Sequence, residues 1–217
     1  MTLEITVRGS AEQHLPAERA LLSMAAVVEG EDRRQVFADA VAIQEPLSAQ
    51  LRELVALQSV ETWLSDQVRV LSHRPWAGDG EPGSVLHVAR VHVHAEFTDF
   101  ERLSGFLDEW SGVDGVEIVG IAWDVTARRR RTSEAEVRKA AVDDAVSRAQ
   151  SYADAVRHGK VTPVQLADPG MLTPAADGPP VLLQKSSFAA SGGPELDLTP
   201  GEIVIRVEVD ARFVAES

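Results

Sequence analysis

The sequence predicts an α+β fold, mainly antiparallel sheet with helices packed on one face. Several stretches alternate apolar and polar residues with the period of a half-buried strand, and fewer, longer ones repeat apolar residues with the helical period. The strands also follow one another through turn-rich connections more often than through helical crossovers. The chain has 217 residues, 44% apolar and 25% charged, an ordinary globular mixture with enough apolar material for a sizeable core. We read 1–217 as a single domain.

In chain order, Leu3 to Arg8 alternate as a first strand, "SAEQHLPAE" reads as a polar connection, and "RALLSMAAVVEG" from Arg19 to Gly30 is a mostly apolar second strand. Glu31 and Asp32 open a helix with Val36, Phe37, Ala40, Val41, Leu47, Leu51, Leu54 and Val55 on one side. Pro46 falls inside it, removes a backbone donor and crowds the preceding turn, so a bend near Glu45 is expected. "SVETWLSDQVRVLSHRPW" and "SVLHVARVHVHAEF" read as two strands of a hairpin closed by the glycine-rich "AGDGEPG". Asp99 caps a short helix ending near Trp110, and "VEIVGIAWDVT" is the next strand.

The last third repeats this logic. Ser133 and Glu136 have capping-box spacing, Val137, Ala140, Ala141, Ala145, Ala149, Tyr152 and Val156 form a stripe, and Gly159 is placed to stop the helix. "KVTPVQLAD" and "GEIVIRVEVDARFVA" are the closing strands, the latter with Ile203, Ile205, Val207, Val209 and Ala211 facing one way. Residues 167–201 between them hold eleven Pro and Gly in thirty-five positions and read as a loop. The order of elements suggests a diffuse internal duplication of a strand-helix-hairpin unit.

Twenty-one basic against thirty-four acidic residues give a net charge of −13, which repels a phosphate backbone, so nucleic acid is not expected as a partner. The absence of cysteine rules out disulfides, thiolate ligands and a cysteine nucleophile. No window approaches eighteen consecutive apolar residues, so no membrane span is expected, and "MTLEITVRGS" has neither the basic nor the apolar region of an export signal, so a cytoplasmic location is expected.

Three of the six histidines, His87, His92 and His94, fall within eight residues. Strand alternation puts His87 on one face and His92, His94 and Glu96 on the other, with the two imidazoles roughly 7 Å apart. His92, His94 and Glu96 are therefore the candidate metal ligands, provided a fourth group approaches from a neighbouring strand. Arg90 on the same face opposes a cation there, and a solvated or contact face is the simpler reading. His87, among small apolar residues, reads as a hydrogen-bonded core or boundary histidine. "GDGEPG" from Gly78 to Gly83 satisfies GxGxxG, but a strand follows it where dinucleotide binding requires a helix N-terminus, and Asp79 and Glu81 would repel phosphate. The run Arg128 to Arg131 reads as a solvated linker, because four adjacent side chains cannot share one face and no aromatic platform is interleaved. Neither GxSxG nor GxxxxGK[ST] occurs, and no cofactor is expected.

"LEITVRGSAEQHLPAERALLSMAAVVEG", the stretch "EVRKAAVDDAVSRAQSYADAVRHGKV" and the closing "LTPGEIVIRVEVDARF" resemble the SIMPL domain family across nearly the whole chain. Its most specific pieces here are the alanine-rich helix, with Arg138, Lys139 and Arg148 among Ala140, Ala141, Ala145 and Ala149, and the Pro200-Gly201-Glu202 entry to the last strand. That family, long labelled a domain of unknown function, includes periplasmic immunogenic proteins and a kinase-associated adaptor. Two features depart from it: many relatives carry an export signal, and an uninterrupted first helix would be expected. The resemblance implies a non-enzymatic interaction or assembly module, a homo-oligomer with a protein partner as a further expectation. A metal-dependent or small-molecule enzyme using the His92/His94/Glu96 face is the alternative. Two long strands, Val85 to Phe97 and Glu202 to Val214, lack proline and read as unguarded edges, and Val181, Leu182, Leu183 and Phe188 are the expected interaction anchors in the loop beside them.

Overall fold

A computed structural model describes residues 2–76, 83–172 and 198–216. It contains three helices and eight strands in two antiparallel sheets. Contacts gather the described residues into two compact units. Unit 1 takes in 2–16, 125–172 and 202–216, and unit 2 takes in 17–76, 83–124 and 198–201.

Unit 1 is a three-stranded sheet under one helix. β1 (Thr2–Pro16) and β7 (Val161–Ala167) flank the central β8 (Glu202–Glu216), and α3 (Ala127–Ala155) covers one face. β1 is longer than expected: the segment read as a polar connection pairs with β8 all the way to Pro16↔Glu202. Its alternation persists, with Leu15 buried and Glu12, His14 and Pro16 exposed, but few of its inward residues are strongly apolar.

The α3 stripe runs at strict four-residue spacing through Ser133, Val137, Ala141, Ala145, Ala149 and Ala153, all buried. Ala140, Tyr152 and Val156 are exposed, contrary to the expected stripe. Small side chains let the helix approach the sheet closely. A Cβ built on Gly9 of β1 would lie 2.0 Å from the Ala141 carbonyl oxygen and 2.7 Å from Ala145 Cβ. The helix also begins earlier than the Ser133–Glu136 spacing suggested. Thr126 is its N-cap, accepting from the Arg129 N–H at 3.2 Å, so Arg128 to Arg131 occupy the first turns of a helix instead of a linker. Its end is set by Arg157, not Gly159. Arg157 adopts φ 63° and donates to Asp154 O while His158 donates to Ala153 O, the paired bonds of a Schellman cap.

Unit 2 has the order β2 (Arg19–Gly30), α1 (Arg33–Ala56), β3 (Val60–Ser65), β4 (Arg69–His73), β5 (Leu86–Phe97), α2 (Phe100–Ser111) and β6 (Val116–Asp124). Its sheet runs β3-β5-β2-β6, with β4 also paired to β5. β3 and β4 are one edge strand broken at 66–68, because their registers along β5 differ by one residue, as a bulge requires. With that strand counted once, the unit is a split βαβ arrangement of βαββαβ order. α1 and α2 share one face of the sheet: Leu47, Leu51 and Leu54 with Leu103, Phe106, Leu107 and Trp110 enclose Ala20, Leu22, Met24, Val93, Ala95 and Phe97. Each large apolar side chain buried there contributes about 1.5–3 kcal/mol relative to exposure. Leu198 packs on the same cluster.

α1 runs through Pro46 as one helix. Pro46 is exposed, as is Ala42, whose carbonyl loses its helical donor on the solvent side of the helix. Phe37 and Val55, expected in the stripe, are exposed at 47% and 37%.

The expected duplication has a topological form. In unit 1, β1-α3-β7-β8 gives the order β1-β8-β7; in unit 2, β2-α1-β3/β4-β5 gives the order β2-β5-β3. In both, the first strand pairs with the last of a strand-helix-hairpin unit, and the helix covers one face. Unit 2 adds α2 and β6. The sheet order corrects one expectation: β5 and β8, read as unguarded edges, are interior strands with neighbours on both sides.

The close α3–β1 approach gives a direct test. Gly9→Ala and Ala145→Leu each force the helix off the sheet and are expected to cost roughly 1–3 kcal/mol, read as a lower urea midpoint with unchanged slope. An unchanged midpoint in both variants would show that α3 does not pack as described.

Candidate functional site

β5 alternates as the sequence required. Ala89, Val91, Val93, Ala95 and Phe97 are buried under the helices, while Arg90, His92, His94 and Glu96 lie on the opposite face. His87, on the helix side near the strand's start, is half-buried with its Nδ1 2.8 Å from the Ser72 hydroxyl, the hydrogen-bonded boundary histidine expected.

The candidate ligands His92, His94 and Glu96 do share a face but do not form a ligand set. Glu96 is bound by Arg19 from the start of β2, and the other arm of that guanidinium reaches Asp124 at the end of β6, 3.0 Å away. His94 Nδ1 is hydrogen-bonded to the Ser23 hydroxyl at 2.9 Å. The His92 and His94 rings stack nearly parallel, 6.3 Å between centroids, so their nitrogens do not converge on one point. Arg90 crosses β2 to Glu117 at 3.2 Å, above the buried Ala25. Among the described residues, no group of three or more His, Asp or Glu side chains has the geometry to hold a metal ion.

The strand order explains this arrangement. β2 lies between β5 and β6, so a long cation rooted in β2 is the one side chain able to reach carboxylates on both neighbours. Burial opposes the Arg19 charge, but hydrogen bonds to Glu96 and Asp124 and the attraction of both carboxylates outweigh it and raise the guanidinium pKa. The face is therefore a polar cross-link of three strands. Arg19 and Asp124 were not singled out in the sequence. Both are ordinary charges at strand ends until the pairing of β2 with two partners brings them together, and the outward position of Glu96 was the only signal.

Unit 1 carries a second polar cluster, on the sheet face away from α3. Asp210 is buried on β8 and accepts from Arg8 Nε at 2.7 Å, Arg8 Nη2 at 3.2 Å and the Gly170 N–H at 2.7 Å. The Arg8 hydrogen bonds hold its carboxyl below the usual carboxylate range, with help from Gly170 and against the opposing effect of burial. On α3, Asp144 takes the Ser10 N–H of edge strand β1 at 2.9 Å, and Gln150 takes the Val161 N–H of edge strand β7 at 3.0 Å. β7 also carries Pro163, which cannot donate to a further strand. One N–H on each edge of this sheet is thus taken by α3, and Pro163 removes a further donor from β7. The anchors expected at Val181, Leu182, Leu183 and Phe188 lie outside the described residues.

Two outcomes are expected. Arg19→Ala leaves two partly buried carboxylates facing each other and should cost about 3 kcal/mol, whereas His92→Ala with His94→Ala should leave the melting temperature nearly unchanged and the purified protein well under one zinc per chain. Asp210, with its folded pKa depressed, contributes stability that is complete above the ordinary carboxylate pKa and is lost as pH falls through the folded value. Asp210→Asn should therefore lower stability by about 1.5–3 kcal/mol at neutral pH and flatten the acid limb of the urea midpoint against pH.

No helix is long and apolar enough to cross a membrane among the described residues. A search of curated proteins returns no match. The sequence does match one family over residues 5–213, a span that takes in all of unit 2, most of unit 1 and all three helices: the chain belongs to the SIMPL family, described as a protein of unknown function (DUF541).

Proposed function

We propose that the chain is a non-enzymatic interaction module that assembles with copies of itself, and that the contact is the free edge of β6. The carrying observation is the contrast between edges. β1 and β7 each have one edge N–H taken by an α3 side chain, β7 carries Pro163, and the β3/β4 edge is interrupted at 66–68, with the Val70 carbonyl accepting from Arg33 at 3.3 Å. β6 pairs with β2 alone among the described residues, contains neither proline nor lysine, and presents "VEIVGIAWD", with one register shift that leaves Val119 unpaired on β2 and 57% exposed. Such an edge is a template for another strand.

Self-pairing suits this sequence. An antiparallel two-fold centred on Gly120 sets Glu117 against Trp123 and Val116 against Asp124, so no like charges oppose one another. The enzyme alternative on His92, His94 and Glu96 gains no support, since Glu96 is committed to Arg19 and His94 to Ser23.

Light scattering tests the proposal. The parent is expected to run above the mass of one chain, and Val119→Lys, a charge at the middle of the edge, should bring it down to one chain with thermal stability changed by less than about 0.5 kcal/mol. A monomeric parent, or a variant with the parent's mass, would contradict it.

A further inference from the structure

A cleft of about 440 Å³ lies where the start of α1 meets β4, lined by Arg33, Arg34, Phe37, Val68 and Val70. Its floor belongs to a small apolar cluster, Val36, Ala40 and Ala89 with Val28, Val68 and Val70, and Phe37 stands at its rim half exposed. Two cations flank it. Among the described residues neither Arg33 nor Arg34 has a carboxylate within ion-pair distance, as is also true of exposed arginines elsewhere such as Arg52, Arg69 and Arg102; what sets this pair apart is the uncovered apolar floor beside it. The nearby Asp32 is occupied in capping its own helix, accepting from the Arg34 and Gln35 N–H groups at 2.7 and 3.1 Å. A chain of net charge −13 thus presents an unneutralised basic pair beside an uncovered apolar floor.

We infer that this cleft binds an extended acidic-apolar segment of a partner protein, distinct from the β6 contact. β4 has β5 as its neighbour on one side and no strand on the other among the described residues; Arg33 donates to Val70 O there at 3.3 Å, a bond that an added segment would replace. A segment laid along this edge directs every second side chain to the α1 side, about 7 Å apart. An apolar residue there covers Phe37, Val68 and Val70, and a carboxylate two residues on meets Arg33 and Arg34. Guanidinium and carboxylate form paired charge-assisted hydrogen bonds, so the arginines select an acid over an amide or an amine at that position.

Fluorescence anisotropy with labelled peptides tests this on the full chain. Thr-Leu-Thr-Glu-Thr should bind and weaken as salt is added, while Thr-Leu-Thr-Lys-Thr should not bind. Arg33→Gln with Arg34→Gln should weaken binding at least roughly tenfold, and Phe37→Ala should weaken it independently of charge. Equal binding of the two peptides, or unchanged binding in both variants, would overturn the proposal. A change in mass by light scattering in the arginine variant would also overturn it, because the cleft would then hold a second copy of this chain.

Discussion

The ladder between β1 and β8 is the interaction on which the rest of unit 1 depends. It pairs residues more than 180 positions apart along its whole length, from Thr2↔Glu216 to Pro16↔Glu202. Without β1, the helix α3 loses the strand that carries Gly9, and the Arg8–Asp210 pair and the Ser10–Asp144 bond go with it. Bringing such distant segments together costs loop-closure entropy, which grows only slowly with length and is offset when fifteen ladder positions and an apolar face form together. The same separation explains why α3 can be so poor in large apolar residues. Its stability comes from close approach to a completed sheet, in which alanines at four-residue spacing leave room for backbone contact.

Both units solve one problem in the same way: a strand pairs with the far strand of a hairpin, and the intervening helix covers the face so made. They differ in how the exposed parts are managed. Unit 1 ties its edge donors to Asp144 and Gln150 and blunts β7 with Pro163. Unit 2 interrupts the β3/β4 edge, cross-links its outer face through Arg19, and, among the described residues, pairs β6 with β2 alone, with one register shift at Val119. On the proposed reading β6 is the assembly edge and the cleft beside β4 a second, basic surface.

Much of this was legible in the sequence, for identifiable reasons. The α+β class, β2, β5, α2, β6 and the last two strands follow from period and turn chemistry, and the face assignments within β5 follow from alternation alone. The misread parts share one cause, information held by partners. The second half of β1 looks polar because its register is set by β8. The start of α3 was misplaced because Ser133 and Glu136 have capping-box spacing, yet Thr126 fills the role and four arginines are tolerated in the first turns. For the same reason the histidine row gave a sound face and an unsound ligand set: Arg19 and Asp124, which occupy Glu96, belong to strands whose adjacency no spacing reveals.

Native-state hydrogen exchange resolved by residue tests the central claim, that unit 1 exists through the β1–β8 ladder. The ladder-bonded amides of β1 should be protected as strongly as those of β8 and α3, and all three should lose protection together as denaturant is raised, because one opening breaks them all. Weak protection of β1, with β7, β8 and α3 remaining slow, would contradict the account and show that the helix and hairpin stand without the first strand.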